Sequence, residues 1–382
     1  LISLYMSGDD RLMRKAINDF YHSLLPGGLT QSRYPSMARQ VIPPYSLFWV
    51  SMISDYLWHR PDYMFAARYL PAIQQVLAWF ENRVDESSGM LGPLEYWPFV
   101  DWTQAWPWDD SAAIGGVPAG GVTGNSSILT LQYAYTLDQA ADIFNYFGLE
   151  GLAKTYTQQA DRLSGATYEN CWDEASAFLA DTPEKNAFSQ HANILAVLTN
   201  TIPVDRQALF TDRLLRADSL IQASYYFRFY LHRAMDHAGL GNKYLAALDP
   251  WHEMLNKGLT TFAEKPDPTR SDCHAWSAAP LYDLLHTVAG IRPAEYGFRS
   301  VIIAPHPGPL GELEATVPHP RGEIAVDLVF RKNGSVRGTV ALPPGITGVF
   351  VWDHQNMELH PGKQTVRMSR MDNKFLLQDE KE

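Results

Sequence analysis

The sequence predicts a mainly α-helical protein, an (α/α)6 toroid that is incomplete at its N-terminus, followed by a small antiparallel β-sandwich. Helical periodicity dominates residues 9 to 290, in segments that Gly, Pro and Asp or Asn separate. The segments come in sequential pairs with short connections, as helical hairpins do. From Ile291 the hydrophobic period changes to two residues, which is typical of strands. We therefore expect a helical domain over residues 1–290 and a β-domain over residues 291–382.

Ten amphipathic segments make up the expected helical domain, and none shows a heptad repeat. They cover residues 9–25, 45–58, 62–84, 125–147, 150–168, 189–198, 205–215, 222–237, 242–256 and 275–289. Residues 1–7, followed by Gly8, have the pattern of a helix end. We expect the chain to continue upstream of Leu1, so that a toroid of twelve helices would lack one helix and part of another here. An open solenoid of helical hairpins is the alternative architecture.

Four alternating segments predict the strands of the β-domain. They are residues 300–304, 324–330, 335–342 and 348–352. The Asn333-Gly334 pair between the second and third segments indicates a tight hairpin turn. Residues 378–382 are expected to form a frayed, charged tail.

Composition excludes several functional classes. The net charge of −11 argues against nucleic acid or an anionic membrane as a partner, and no apolar run reaches the length of a membrane span. Two cysteines are too few for a disulfide framework or a Cys-built zinc site. No phosphate-binding, dinucleotide-binding or His-Glu-x-x-His motif is present, so we expect no metal and no cofactor. Oligomeric state and compartment stay open.

Two loop segments combine carboxylates with aromatic side chains. The first lies in a connection of about forty residues between Val84 and Asn125, which is unusually long for a compact domain and rich in Trp. The second is residues 260–276. Cleavage of a glycosidic bond needs two carboxyl groups, and indole faces bind sugar rings. Composition alone does not choose among Glu264, Asp267 and Asp272, each of which could equally be a solvated loop charge or a helix cap.

Several short motifs resemble those of one enzyme family. Residues 251–255 read Trp-His-Glu-Met-Leu, residues 258–264 read Gly-Leu-Thr-Thr-Phe-Ala-Glu, and residues 271–276 read Ser-Asp-Cys-His-Ala-Trp. An Ala-Gly-Ile sequence follows at residues 289–291, and Asp101-Trp102 lies in the long loop. Together they resemble glycoside hydrolase family 78, the α-L-rhamnosidases, over essentially the whole chain. The resemblance implies inverting hydrolysis of terminal α-L-rhamnose from plant glycosides or polysaccharides, with a carbohydrate as partner.

The resemblance also implies roles for individual residues. Glu264 would be the general base that deprotonates the attacking water, with the two carboxyl groups roughly 6.5–9.5 Å apart. Trp102 would stack on the sugar, with Trp106 and Trp276 as further candidates, and loop packing is the alternative for each.

Three polar residues are candidates for binding sugar hydroxyls. His274 would hydrogen-bond rhamnose or serve as a structural histidine at a helix start. Asp101 would bind a hydroxyl or cap its loop. Arg33 follows a helix and could face the mouth of the toroid or be structural.

Two departures from the family pattern bear on activity. The family's acid motif, Asp-x-x-x-Glu-x-Leu-x-Tyr-x-Gly-Asp, does not occur in the 382 residues, so we expect the general acid upstream of Leu1 and a fragment that is inactive alone. Phe262-Ala263 precede Glu264 where the family usually has a Trp. Two alternatives stay open: another glycosidase or a polysaccharide lyase on the same toroid, and a sugar-binding remnant without turnover. Family habit favours export to the periplasm or medium.

Overall fold

A computed structural model describes residues 1–370, in which a two-layered ring of helices precedes two β-sheets. The α-helices are α1 (Ile2–Ser7), α2 (Arg11–His22), α3 (Pro43–His59), α4 (Tyr63–Ala67), α5 (Leu70–Glu81), α6 (Ser127–Tyr146), α7 (Glu150–Cys171), α8 (Gln190–Leu198), α9 (Val204–Leu214), α10 (Arg228–His237), α11 (Asp249–Asn256) and α12 (Ala279–Asp283). The strands are β1 (Trp172–Asp173), β2 (Phe178–Leu179), β3 (Ile291–Pro293), β4 (Ser300–Ile303), β5 (Glu312–His319), β6 (Gly322–Phe330), β7 (Val336–Leu342), β8 (Thr347–Trp352), β9 (Gln355–Leu359) and β10 (Gly362–Met368).

The helices alternate between an inner ring and an outer layer. Helix α3 packs on α6, α6 on α8, α8 on α10 and α10 on α12, while α12 packs on α1. The Tyr5 ring of α1 closes the ring, because it contacts His59 of α3 at 5.4 Å and Tyr282 of α12 at 4.9 Å between centroids. Inner helices α6 and α8 are buried nearly all round, whereas outer helices such as α2 and α7 expose one polar face. The predicted toroid is thus confirmed.

Three segments that were predicted as single helices are interrupted in the structure. The segment 62–84 divides into α4 and α5, 242–256 into a 3-10 turn and α11, and 275–289 into a 3-10 turn, α12 and a π-turn. Pro71, Pro250 and Pro280 each lie in the first turn of the helix that follows the break. Proline lacks an N–H and fits only that turn, so these helices begin at their prolines. The segment 222–237 becomes helical only at Arg228.

The C-terminal strands form two four-stranded sheets that pack face to face. One has the order β10-β7-β6-β5 and the other β3-β4-β8-β9. Apolar side chains of both sheets share a core, among them Val301, Phe350, Val326 and Val340. The sandwich was predicted with four antiparallel strands. Strands β3, β5, β9 and β10 add to these, and β4 pairs with β8 in parallel. The predicted tail at 378–382 lies outside the described residues.

The β-sandwich packs against the helical ring at α1, α10 and α12. The Arg292 guanidinium in β3 pairs with Asp236 of α10 at 2.6 Å, and the Tyr5 hydroxyl donates to the carbonyl of Ile291. Tyr5 and Tyr282 contribute to the apolar core of the sandwich. In the range 1–370 no helix combines the length and the apolar character that crossing a membrane requires.

Candidate active site

The loops that precede the inner helices gather at one end of the ring and form its mouth. They lie ahead of α3, α6, α8, α10 and α12, and they contain Arg33, Asp101, Ser224 and Glu264. Because every inner helix points the same way, its N-terminal end brings these loops together although they are far apart in sequence.

The long loop between α5 and α6 folds around its own aromatic side chains. Val100 N–H donates to the Gly116 carbonyl at 2.8 Å, and the Trp97 indole N–H donates to the Gly115 carbonyl at 2.8 Å. Gly116 has φ 64°, and a Cβ there would lie 2.5 Å from the Phe99 ring. Only glycine fits this position, because both the left-handed backbone and the close ring forbid a side chain.

Asp101 is a buried anchor that joins three segments of the mouth. Its Oδ2 accepts from His191 Nε2 at 2.8 Å and from the Ser224 N–H at 2.8 Å. Its Oδ1 accepts from the Trp102 N–H at 2.8 Å and from the Ser224 hydroxyl. The side chain has no exposed surface, so every contact it makes is internal. The Asp101 carboxylate therefore fixes the backbone of Trp102 rather than facing the opening.

Glu264 lies in the loop ahead of α12, where backbone hydrogen bonds join residues 262–264 to residues 271–274. Its N–H donates to the Ser271 carbonyl at 2.8 Å, and the His274 N–H donates to the Phe262 carbonyl at 2.7 Å. The Trp276 indole N–H donates to the Glu264 carbonyl at 2.7 Å. These bonds hold the backbone on both sides of the carboxylate, whose side chain is only 5% exposed.

Arg270 covers the Glu264 carboxylate. Its Nε donates to Oε2 at 3.1 Å and its Nη2 to Oε1, so the pair is bidentate. The same guanidinium lies over the Trp102 ring at 4.8 Å from the centroid. Arg270 thus links Glu264 to Trp102 across the mouth. Its side chain is 61% exposed, so it can move without disturbing the core.

The predicted tryptophans have different environments. Trp102 contacts Phe99 at 5.0 Å, and Trp276 stacks on Tyr226 at 4.8 Å between centroids, each with part of its ring exposed. Trp106 is buried, and its ring contacts His191 at 4.6 Å. Trp276 is thus bonded to the Glu264 backbone, and Trp102 contacts its partner Arg270. Trp106 packs on His191, the ring that is bonded to Asp101.

The other two candidates lie at the rim. The His274 ring is 4.7 Å from the Trp276 ring and is partly exposed. Arg33 is exposed and donates to the Gln40 side-chain oxygen at 3.0 and 2.8 Å, so it is tied to its own loop.

Two cavities border residues that contact Glu264, although Glu264 itself lines neither of them. A cleft of about 880 Å³ is lined by Trp102, Trp106 and Arg270, and an apolar cavity of about 670 Å³ by Tyr45 and Trp276. Burial, with the nearby charges of Asp101 and Glu264, raises the pKa of Tyr45 well above its ordinary value. Tyr45 therefore presents a neutral hydroxyl in the lining of the apolar cavity.

Sequence reasoning missed four residues of this mouth, namely Tyr45, His191, Arg228 and Arg270. Arg270 lay within the segment 260–276 that the motifs had singled out, and its spacing from Glu264 was the available signal. The other three lay within the predicted helical segments 45–58, 189–198 and 222–237, and nothing in those patterns marked them as part of a site. No group of three or more His, Cys, Asp or Glu side chains within residues 1–370 could hold a metal ion.

Fold and site together define a six-hairpin glycosidase domain followed by a β-domain. Residues 1–288 match the profile of the bacterial α-L-rhamnosidase 6-hairpin glycosidase domain, and residues 290–367 match that of the bacterial α-L-rhamnosidase C-terminal domain. The chain belongs to the bacterial α-L-rhamnosidase family. The resemblance to glycoside hydrolase family 78 is thereby confirmed.

Solved structures share the fold of this chain. The family 78 rhamnosidase of Bacillus sp. GL1 is 25% identical with a TM-score of 0.80, and the match covers 92% of this chain and 37% of that one. Streptomyces avermitilis α-L-rhamnosidase, solved with L-rhamnose, shares the fold at 18% identity and a TM-score of 0.74, over 96% of this chain and 37% of that one. A Klebsiella oxytoca rhamnosidase with rhamnose bound matches at 21% identity and a TM-score of 0.60, over 72% and 53% of the two chains. The chain therefore spans about 37% of the length of the first two. No curated protein matches it.

Proposed function

We propose that this chain forms the rhamnose-binding mouth of an inverting α-L-rhamnosidase, with Glu264 as its general base. The observation that carries the proposal is a nearly buried carboxylate, 5% exposed, held by backbone hydrogen bonds and by Arg270 in a loop at the mouth of a rhamnosidase-family toroid. A fixed, largely desolvated carboxylate is the group that an attacking water needs as proton acceptor.

The neighbouring side chains divide between sugar binding and positioning. Trp102 and Trp276 have partly exposed rings, suited to the apolar face of a pyranose, and each contacts Glu264 or its partner Arg270. His274 and Arg33 remain our candidates for binding hydroxyl groups, because the first is partly exposed and the second is exposed. Asp101 and Trp106 have a positioning role. Asp101 accepts hydrogen bonds from the Trp102 N–H and from His191, and Trp106 packs on the His191 ring.

Arg270 has to move for water to reach Glu264. Both carboxylate oxygens accept hydrogen bonds from its guanidinium. Water then donates one proton to Glu264 while its oxygen attacks the anomeric carbon from the face opposite to the leaving group. The leaving oxygen takes its proton from a second carboxyl group, the general acid.

The test uses the full gene product, with turnover and binding measured separately. Glu264→Gln should lower kcat on p-nitrophenyl α-L-rhamnoside by about 10²–10⁴-fold, as loss of a general base does. Binding of L-rhamnose, measured by calorimetry, should change little, because the amide keeps the shape of the site. Asp267→Asn and Asp272→Asn are matched controls in the same loop and should keep wild-type kcat.

Two other results would contradict the base assignment. Unchanged turnover in Glu264→Gln would place the base elsewhere. Proton NMR of the first-formed sugar should show β-L-rhamnose, and α-L-rhamnose would exclude inversion.

A sugar-binding protein without turnover is the second candidate. The observation that favours it is the absence of the family's acid motif from the 382-residue sequence. Binding of L-rhamnose with no release of p-nitrophenol from the full gene product would establish this candidate.

A further inference from the structure

A groove of about 940 Å³ lies where the β-sandwich meets the helical ring, away from the mouth. Gly239 and Asn242, which follow α10, form its wall on the side of the ring. The mouth is built from loops ahead of the inner helices, whereas this groove adjoins the residues after α10. Because a helix of 10 residues spans about 15 Å, the groove and the mouth are separate sites at opposite ends of α10.

Two turns and one proline-rich loop of the β-sandwich form the other walls of the groove. They belong to residues 304–311, 330–334 and 351–354. The Gly308 N–H donates to the Asn242 side-chain oxygen at 3.0 Å, which joins the loop to the ring. The Trp352 indole N–H donates to the Gly334 carbonyl at 2.9 Å, which joins the two turns. The walls are therefore bonded to one another, and the groove is preorganised for a ligand.

The groove concentrates positive charge on an acidic protein. Its lining contains the cations Arg331, Lys332 and Arg370 and, among the described residues, a single carboxylate, Asp353. Within residues 1–370 none of the three cations forms an ion pair shorter than 4.0 Å. The chain as a whole has a net charge of −11. A local excess of cations attracts an anionic ligand by its local field, in spite of the overall negative charge.

The aromatic lining and the volume favour a sugar chain over a small ion. Trp352 lines the groove and stacks on Phe330 at 5.4 Å between centroids, and both rings are partly exposed. An indole ring packs on the apolar face of a pyranose while charged and polar groups bind its substituents. Ligand sites usually have about 300–1,000 Å³, so this groove is large enough for more than one sugar ring.

We propose that this groove binds an acidic glycan, a chain of sugars that carry carboxylate groups. The carboxylates pair with Arg331, Lys332 and Arg370, and a sugar ring packs on Trp352. The groove does not include Glu264, so this binding goes beyond the proposed function. A polymer held here leaves the mouth free, and its other sugars reach a higher local concentration at the protein.

Three hexamers separate the contribution of charge from that of the sugar. They are hexagalacturonate, its fully methyl-esterified form and hexa-L-glutamate, so that one has both features, one the sugar alone and one the charge alone. Calorimetry on the full gene product should show hexagalacturonate binding about 10-fold or more tightly than the ester, the value of a charge-assisted hydrogen bond. It should exceed hexa-L-glutamate by about 5-fold, because the peptide has no ring to pack on Trp352. Added NaCl should weaken binding of hexagalacturonate, since salt screens ionic pairing.

Variants assign the binding to the groove. Arg331→Gln/Lys332→Gln should weaken hexagalacturonate binding by about 10-fold or more, because it removes two of the three cations. Arg337→Gln/Lys363→Gln is the matched control, since both residues are exposed on the same β-sandwich, neither lines the groove, and the protein loses the same charge. The control should change the dissociation constant by less than about 2-fold. All four side chains are exposed, so neither double variant disturbs the core.

The outcomes separate this proposal from the rhamnosidase proposal. Equal affinity for hexagalacturonate and its ester, or no binding of either, would overturn the acidic-glycan site. Equal affinity for hexa-L-glutamate would overturn the sugar as ligand and indicate an acidic peptide instead. Undiminished binding in Arg331→Gln/Lys332→Gln would place the glycan elsewhere and overturn the groove. Binding is measured without turnover, so none of these results depends on cleavage of p-nitrophenyl α-L-rhamnoside, which both double variants should retain.

Discussion

At the scale of single residues, the mouth contains two buried carboxylates, Asp101 and Glu264, whose hydrogen-bond donors differ in mobility. Asp101 has no exposed surface and receives all its hydrogen bonds from its own protein, so it is a fixed point of the scaffold. Glu264 is nearly as buried, but its partner is an exposed arginine that can leave. The difference lies in the donors, because backbone and His donors are immobile whereas the Arg270 side chain can rotate into solvent.

A double-mutant cycle on Glu264 and Arg270 tests this pairing. Arg270→Met should lower the free energy of unfolding by about 1–3 kcal/mol, because it leaves a desolvated carboxylate without its donor. The double variant Glu264→Gln/Arg270→Met should be more stable than Arg270→Met alone, since the charge is gone as well. Urea denaturation at pH 7 measures both. Additive effects of the two substitutions would mean that the pair is not coupled.

Sequence motifs identified Glu264 as a candidate, but they could not tell which of the other candidate residues are buried and which border a cavity. Asp101 and Trp102 are adjacent in sequence, yet one is buried and the other borders a cleft. That difference arises from Ser224 and His191, which come from distant loops and are brought to Asp101 only by the ring. Arg228 lay within the predicted helical segment 222–237, and its position in the lining of the cleft depends on tertiary contacts that periodicity does not encode.

At the scale of elements, helices were predictable where periodicity was uninterrupted and wrong where a proline lay inside the pattern. The predicted segment 125–147 corresponds closely to α6 (Ser127–Tyr146). The predicted segment 62–84 breaks before Pro71, although its apolar stripe continues on both sides. Apolar spacing reports which face is buried, whereas the missing N–H of proline decides where the hydrogen-bond ladder starts.

The pair of helices α6 and α7 contains an acidic cluster that should respond to pH. Burial, then the charges of Asp161 and Asp142, raise the pKa of Asp138 to about 7. The folded pKa exceeds the ordinary value, so the unfolded chain ionises first, and this contribution to stability is present below about pH 4 and is lost as pH rises to 7. Asp138→Asn should therefore be more stable than wild type at pH 8, by about 1–2 kcal/mol, and similar at pH 4.

Thermal or urea denaturation between pH 4 and pH 8 measures the difference. Glu169→Gln, an exposed position on α7, is the control and should follow the wild-type curve. An Asp138→Asn variant no more stable than wild type at pH 8 would show that the Asp138 carboxylate is adequately solvated.

At the scale of the whole molecule, the β-sandwich and the helical ring share their core residues. Tyr5 of α1 packs with Tyr282 of α12 and also lies in the core of the sandwich, and Phe298 ahead of β4 contacts His59 of α3. The change of period at Ile291 predicted that two kinds of architecture meet there. It could not predict which helices the sandwich covers, because such contacts depend on how the ring closes rather than on local pattern.

This junction should make the molecule sensitive to acid. His59 lies between Tyr5 and Phe298, its Nδ1–H donates to the Asp55 carbonyl at 2.8 Å, and burial lowers its pKa to about 3. The imidazole is thus neutral in the folded state, whereas the unfolded chain takes up a proton below about pH 6.5. Its contribution to stability is therefore complete above pH 6.5 and is lost as pH falls towards 3.

The His59→Gln variant isolates this contribution, because the amide can still donate to the Asp55 carbonyl but does not titrate. Between pH 6.5 and pH 4 wild type should lose about 2–3 kcal/mol more of its free energy of unfolding than the variant. Urea denaturation at several pH values measures the slope, and His360→Gln, an exposed histidine, should keep the wild-type slope. Parallel curves for wild type and His59→Gln would mean that His59 accepts a proton without unfolding. The acid sensitivity of the junction would then have to come from other histidines whose pKa values burial lowers, namely His286, His306 and His319.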